Sequence, residues 1–273
     1  MVWNKFIIGT VCALGCVFIL SSCKNTDDKT GDKDSNGVAL QKPGAPIKLN
    51  PNKKYIFLTW DDTPQPPGTL NCIRIFREQG VKATFFAVGL HQFDPMRKRL
   101  VDTIRRSYPQ LLLANHSYSH GFRDHYRQYY AHPDSAVKDI LQGAKELGVQ
   151  AKIARLPGMN AWVEYGKMQA PQSSRAVGKI LDSLGYCTLG WDIEWQSKGA
   201  TPIQGAQQMA KKVAKLFDDG TTYAPNAVVI LAHDRMFAKQ QYADSLSRFI
   251  TLLKRDTNYV FETVDHYPLV QNH

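Results

Sequence analysis

The chain is short of cysteine, of acidic residues and of long apolar runs, and each shortage removes a class of protein. Of five cysteines in 273 residues, Cys12, Cys16 and Cys23 lie near the N-terminus, leaving Cys72 and Cys187 for a folded domain. Two cysteines cannot build a disulfide framework, and neither has metal-site spacing. Cys72 falls in a helical pattern and Cys187 in a strand pattern, so free buried thiols are expected. The apolar run Phe6 to Leu20 is too short to cross a membrane comfortably. Asp and Glu total 24 against 34 Lys and Arg, a net charge of +10. That surplus suits an acidic partner such as nucleic acid, a membrane face or an anionic glycan. No glycine-rich, zinc-finger or basic-aromatic signature accompanies it, so no nucleic acid is expected. Hydrophobic residues make up 43% of the chain, enough to bury the core of one large α/β domain.

What is present begins with an export signal. Lys5 supplies the positive region and Phe6 to Leu20 the apolar one, so this segment is not part of the fold. Leu20-Ser21-Ser22-Cys23 resembles the bacterial lipobox. The resemblance implies cleavage that leaves Cys23 at the new N-terminus and a lipid on its thiol; plain secretory cleavage is the alternative. The expected location is the bacterial cell envelope, with membrane attachment through Cys23. Residues 24–50, rich in Lys, Asp, Gly, Asn and Pro and without periodicity, read as a flexible tether.

Residues 51–273 read as a single α/β domain in which short apolar runs alternate with amphipathic segments. Strands are expected at Tyr55–Trp60, Ala83–Val88, Leu111–Ala114, Lys152–Arg155, Tyr186–Trp191, Ala227–Ala232 and Tyr259–Glu262. Between them, Val137, Ile140, Leu141, Ala144 and Leu147 keep helical spacing, with Gly148 as a stop. Helical patterns also cover Leu70–Gln79, Met96–Arg106, Ser173–Leu184, Ile203–Phe217 and Tyr242–Leu253. The chemistry-bearing residues fall at the carboxyl ends of the strands: Asp61 and Asp62, His116, Arg155, Trp191 to Trp195, and His233. In a parallel barrel these ends converge on one face, where active sites are built. One carboxylate and the His116/His120 pair would make three ligands around a metal with open positions, leaving the second carboxylate free as a base.

These residues carry a resemblance. Thr59-Trp60-Asp61-Asp62-Thr63-Pro64, His116-Ser-Tyr-Ser-His120, Arg155-Leu156-Pro157-Gly158, Trp191-Asp192-Ile193-Glu194-Trp195 and Leu231-Ala232-His233 resemble, in order, the five motifs of the NodB-type polysaccharide deacetylases, carbohydrate esterase family four. The resemblance implies a distorted (β/α) barrel of about seven units. It further implies a divalent metal, zinc first with cobalt, nickel or iron as alternatives, held by Asp62, His116 and His120. Asp61 would be the general base, oriented by Arg155 and with its pKa depressed by that cation. His233 would be the general acid, held by Glu194 or Asp192, with Glu194 favoured by position. Gly158 would offer a backbone N–H to the oxyanion, and Trp195 and Leu231 would line a small acetyl pocket.

The implied activity is removal of N-acetyl groups from a GlcNAc-containing glycan, whether peptidoglycan, a chitin-type oligomer or an exopolysaccharide. O-acetyl ester hydrolysis on an acetylated xylan, or glycan binding without turnover, are the alternatives. Thr63 departs from the usual glycine of the first motif. At a position expected to need positive φ, that departure predicts a loop of altered shape.

Overall fold

The computed structural model describes residues 44–271. The export signal, Cys23 and residues 24–43 lie outside the described residues. Residues 44–50, read from composition as the end of the tether, form no helix or strand but are tied to the domain. The Gly44 N–H donates to Asp265 Oδ2 at 3.0 Å and the Ile47 N–H to Gln271 Oε1 at 3.1 Å.

At the centre lies β1 (Lys54–Thr63), buried along all but its first residue. Its near-continuous apolar run is what a strand covered on both faces of a parallel sheet requires. The remaining strands are β2 (Ala83–Ala87), β3 (Leu111–Asn115), β4 (Ile153–Ala154), β5 (Trp162–Glu164), β6 (Lys167–Gln169), β7 (Cys187–Thr188), β8 (Ile193–Glu194), β9 (Ser197–Lys198), β10 (Thr201–Pro202), β11 (Ala227–His233) and β12 (Tyr259–Phe261). Ten of them form one sheet in the order β6-β5-β7-β4-β3-β2-β1-β11-β8, with β12 beside the start of β1. All its pairings are parallel except those of β5, which runs against β6 and β7. No ladder joins β7 to β8 among the described residues, so the sheet is a curled half-barrel that the segment Leu189 to Asp192 crosses as irregular chain.

Helices at Gly68–Gln79, Pro95–Arg106, Pro133–Leu147, Arg175–Ser183, Ala206–Asp219 and Gln240–Leu253 cover the sheet. Gly148, the expected stop, takes the left-handed cap conformation at φ 62°. The helical pattern expected over Ile203–Phe217 starts later than expected because Ile203 sits beyond the β9–β10 hairpin, 61% exposed, rather than on the helix. Cys72 and Cys187 are free and buried. Trp60, Phe76 and Phe85 pack between β1, β2 and the first helix, so the strand carrying both aspartates is anchored in the core.

Candidate active site

Successive side chains of a regular strand point to opposite faces, so Asp61 and Asp62 should not share a cavity. A bulge solves this. The register of β1 on β2 shifts between Trp60 and Thr63, and Asp62 sits at φ 66°. Asp is among the few residues that enter this region without a large penalty. His91, from the turn after β2, fixes the kink through its Nδ1, 2.7 Å from the Asp62 carbonyl oxygen. Both carboxylates then line one open cleft of about 570 Å³.

The positive φ therefore falls on Asp62, and the expectation of a misshapen loop at Thr63 is corrected. Thr63 stays in the strand, pairs with Ala87 and is buried. Its hydroxyl donates to Asp234 Oδ2 at 3.1 Å, the oxygen that also accepts from the Thr69 hydroxyl and the Gln65 N–H. Burial pushes Asp234 up to about 7. Thr63→Gly should lower stability by about 1–2 kcal/mol, through a lost hydrogen bond to a buried carboxyl and a freer backbone, without raising turnover. Urea unfolding tests this; an equally stable or more active variant would contradict it.

His116 and His120 reach the same cleft by different means. His116 directly follows β3, with its Nδ1 2.9 Å from the Arg155 carbonyl oxygen. From His120 to Asp124 the chain makes a left-handed turn, with φ of 54°, 62°, 56°, 56° and 67°. Such a run is costly for residues other than glycine and clusters at functional sites. The turn brings Asp124 Oδ1 to 2.6 Å from His120 Nδ1. With both Nδ1 atoms engaged, both Nε2 atoms face Asp62: Oδ1 lies 3.0 Å from His120 Nε2 and 3.7 Å from His116 Nε2.

The three ligand atoms lie within 4.8 Å of one another. Asp62 Oδ1 is buried and accepts no well-aligned hydrogen bond. Burial holds His116 down to about 3, hence neutral with a free Nε2 lone pair. Burial alone would raise Asp62, but His120 holds it well below the usual carboxylate range. An anionic oxygen and two outward-tethered imidazoles suit a divalent cation.

Asp61 Oδ1 accepts from Arg155 Nη1 at 2.9 Å. Arg155 is fully buried and its other donors are spent on Thr59 Oγ1 at 2.7 Å, Leu189 O at 3.1 Å and Gly190 O at 2.8 Å. The expected depression of the Asp61 pKa is corrected: burial raises it, and this outweighs Arg155. Gly158 lines the cleft at φ 67°, where a Cβ would come within 3.0 Å of the Tyr126 ring. The Tyr130 hydroxyl donates to the Pro157 carbonyl at 2.7 Å. Across a trans peptide this turns the Gly158 N–H the opposite way.

His233 ends β11 in register with Asp61, its Nε2 3.8 Å from Asp62 Oδ2. The acidic partner expected for it is absent among the described residues, since its buried Nδ1 has no hydrogen bond. Asp192 is occupied elsewhere, accepting the N–H groups of Tyr223 at 2.6 Å and Val229 at 2.7 Å, and does not line the cleft. Glu194 lines the cleft but makes no bond to His233. Trp195 is also corrected. Next to Glu194 on β8 it faces the other way, fully buried against Phe237 and Phe249, with its Nε1 donating to the Gln204 carbonyl at 2.7 Å. Trp191 takes its place at the cleft, together with the expected Leu231.

Five cleft residues carried no motif: Gln65, His91, Asp124, Tyr126 and Arg235, the last of which bonds Asp62 Oδ2 through Nη1. Only Gln65, directly after Pro64, Asp124, four residues after His120, and Arg235, two after His233, had a positional hint in the sequence.

Comparison with known proteins finds similar chains. Residues 48–158 match the polysaccharide deacetylase family. A chitin disaccharide deacetylase of Vibrio alginolyticus is 23% identical, over 79% of this chain and 71% of its own. A peptidoglycan-N-acetylglucosamine deacetylase of Bacillus cereus is 25% identical, over 78% of this chain and 87% of its own. Among solved structures, a Streptococcus mutans CE4 esterase has the same fold, with a TM-score of 0.59 at 23% identity over 78% of this chain and 86% of that one.

Proposed function

We propose that this chain, which matches the polysaccharide deacetylase family over residues 48–158, is a metal-dependent hydrolase that removes N-acetyl groups from a GlcNAc-containing glycan and releases acetate. The observation that carries this reading is the Asp62–His116–His120 cluster set in one cleft beside the Asp61–Arg155 pair. The three ligands would hold a divalent ion, zinc first by donor type, with cobalt, nickel or iron also compatible. When bound, the ion supplies Lewis-acid polarisation of the acyl carbonyl and acidification of water.

The chain's own groups do the rest. Arg155 fixes Asp61 Oδ1, leaving Oδ2, 3.6 Å from His116 Nε2, to take a proton from the attacking water. The Gly158 N–H donates to the oxygen that gains charge as the water oxygen bonds the acetyl carbon. His233 gives a proton to the sugar nitrogen as the C–N bond breaks, and acetate leaves. Trp191 and Leu231 pack around a methyl-sized acyl group and exclude longer chains.

The envelope location rests on the export signal and on the lipobox-like Cys23, which would anchor the enzyme to a membrane through residues 24–43. No helix among the described residues is long and apolar enough to cross a membrane. Acetate release by the metal-supplemented protein from GlcNAc oligomers, peptidoglycan and acetylated xylan tests the reading. Acetate from the first two is expected. Release from xylan alone would make it an O-acetyl esterase, and binding without any release a glycan-binding protein.

A further inference from the structure

Beside the cleft lies a second, shallower groove of about 390 Å³. It shares Gln65, His91 and Arg235 with the cleft, so the two are continuous. The groove is therefore within reach of the unit adjoining one whose acetamide occupies the cleft. At the rim stands Phe93, 73% exposed. It is also held in place, because the Arg97 guanidinium lies 4.2 Å from its centroid and is itself paired with Asp94. A rigid, open aromatic face is a platform for the C–H face of a pyranose.

The groove's charge is one-sided. Its lining contains Arg97 and Arg235 and no Asp or Glu. Arg97 has a carboxylate partner in Asp94, whereas Arg235 bonds Asp62 through Nη1 alone. Its Nε and Nη2 make no hydrogen bond among the described residues, although the Glu194 carboxyl is near enough to feel its charge. A guanidinium presents a planar fork of donors that matches a carboxylate.

Building on the deacetylase reading, we propose that this groove is a subsite for the sugar next to the one deacetylated, that it selects a sugar bearing a carboxylate, and that Phe93 stacks the ring while Arg235 binds the anion. The substrate class is thereby narrowed to a glycan whose N-acetylated sugars are flanked by acidic ones. Neutral homopolymers fill the same groove but leave Arg235 without its second partner.

Two oligomers of equal length serve as probes: a neutral GlcNAc oligomer, and one in which alternate sugars carry a lactyl ether carboxylate. Affinity by calorimetry and kcat/KM for acetate release are measured on metal-loaded wild type, Phe93→Ala and Arg235→Gln. Wild type should favour the carboxylated oligomer about tenfold, the worth of one charge-assisted hydrogen bond. Phe93→Ala should weaken both oligomers and keep the preference. Arg235→Gln should erase it; the ratio is the readout, because Arg235 also touches Asp62. Equal affinity of wild type for the two probes, or a preference that survives Arg235→Gln, overturns the proposal. A charge preference in binding without acetate release would sink the deacetylase reading and leave the subsite standing. Acetate release without charge preference would do the reverse.

Discussion

Asp61→Asn should reduce acetate release by about 10²–10⁴-fold, the usual worth of a positioned general base, while leaving metal affinity unchanged. The substitution is nearly isosteric. Asn keeps an oxygen to accept from Arg155 Nη1, at 2.9 Å in the native chain, so the buried guanidinium stays satisfied. What it loses is the lone pair that receives a proton. Asp61 is suited to that role because burial raises its pKa despite Arg155, which makes it a stronger base than a carboxylate paired to arginine in water. Metal affinity should be untouched because the cluster draws its carboxylate from Asp62. Steady-state kinetics with a parallel metal titration decides the matter. A variant that keeps its rate, or loses metal together with activity, would show that the two aspartates are misassigned.

Arg155→Met should destabilise the fold by about 3–5 kcal/mol, the cost of breaking a buried ion pair by removing one partner. Arg155 is fully buried and lies 4.2 Å from the Phe86 ring centroid, joining Asp61, Thr59, Leu189 and Gly190. Leu189 and Gly190 belong to the irregular stretch that crosses the open side of the half-barrel. Its loss therefore frees that crossing and strands a carboxylate. Lysine should not restore stability, since a single ammonium cannot reach four acceptors in a planar fork.

The effect has a pH signature. Without the guanidinium, burial is opposed only by the weaker influence of His233, and the folded-state pKa of Asp61 rises further above its unfolded value. A raised carboxyl pKa means that stability is fullest below the unfolded pKa and falls as pH climbs through the folded one. The deficit of Arg155→Met should thus be smallest below about pH 4 and grow towards neutrality. Urea midpoints across pH measure it; a deficit below about 1 kcal/mol at pH 7 would contradict the ion-pair account.

The parts of the site that could be read from the sequence are those that depend on strand ends. β1, β2, β3 and β11 are buried parallel strands with clear apolar runs, and the residues at or just past their carboxyl ends, Asp61, Asp62, His116 and His233, do meet in one cleft. The metal cluster follows from that convergence. Two-residue strands leave no such pattern. In the Trp191 to Trp195 segment, β8 is only Ile193–Glu194. The motif resemblance places Glu194 beside His233 and Trp195 in the acetyl pocket, both at the site, although neighbours along extended chain face opposite ways.

Backbone geometry was equally hidden. The left-handed turn from His120 to Asp124 places φ near 56° on Phe122 and Arg123, conformations that no periodicity announces. The same applies to the bulge at Asp62, whose partner His91 follows a strand without belonging to any motif. Arg235 escaped notice for a different reason. In a chain of net charge +10 an arginine is unremarkable until it is found against a buried carboxylate.

The central claim is that Asp62, His116 and His120 hold the ion on which acetate release depends. Its most direct test is acetate release from a GlcNAc oligomer by chelator-treated protein during stepwise return of zinc. Activity should vanish on chelation and return in full at one ion per chain. Undiminished release from the chelated protein would contradict the claim.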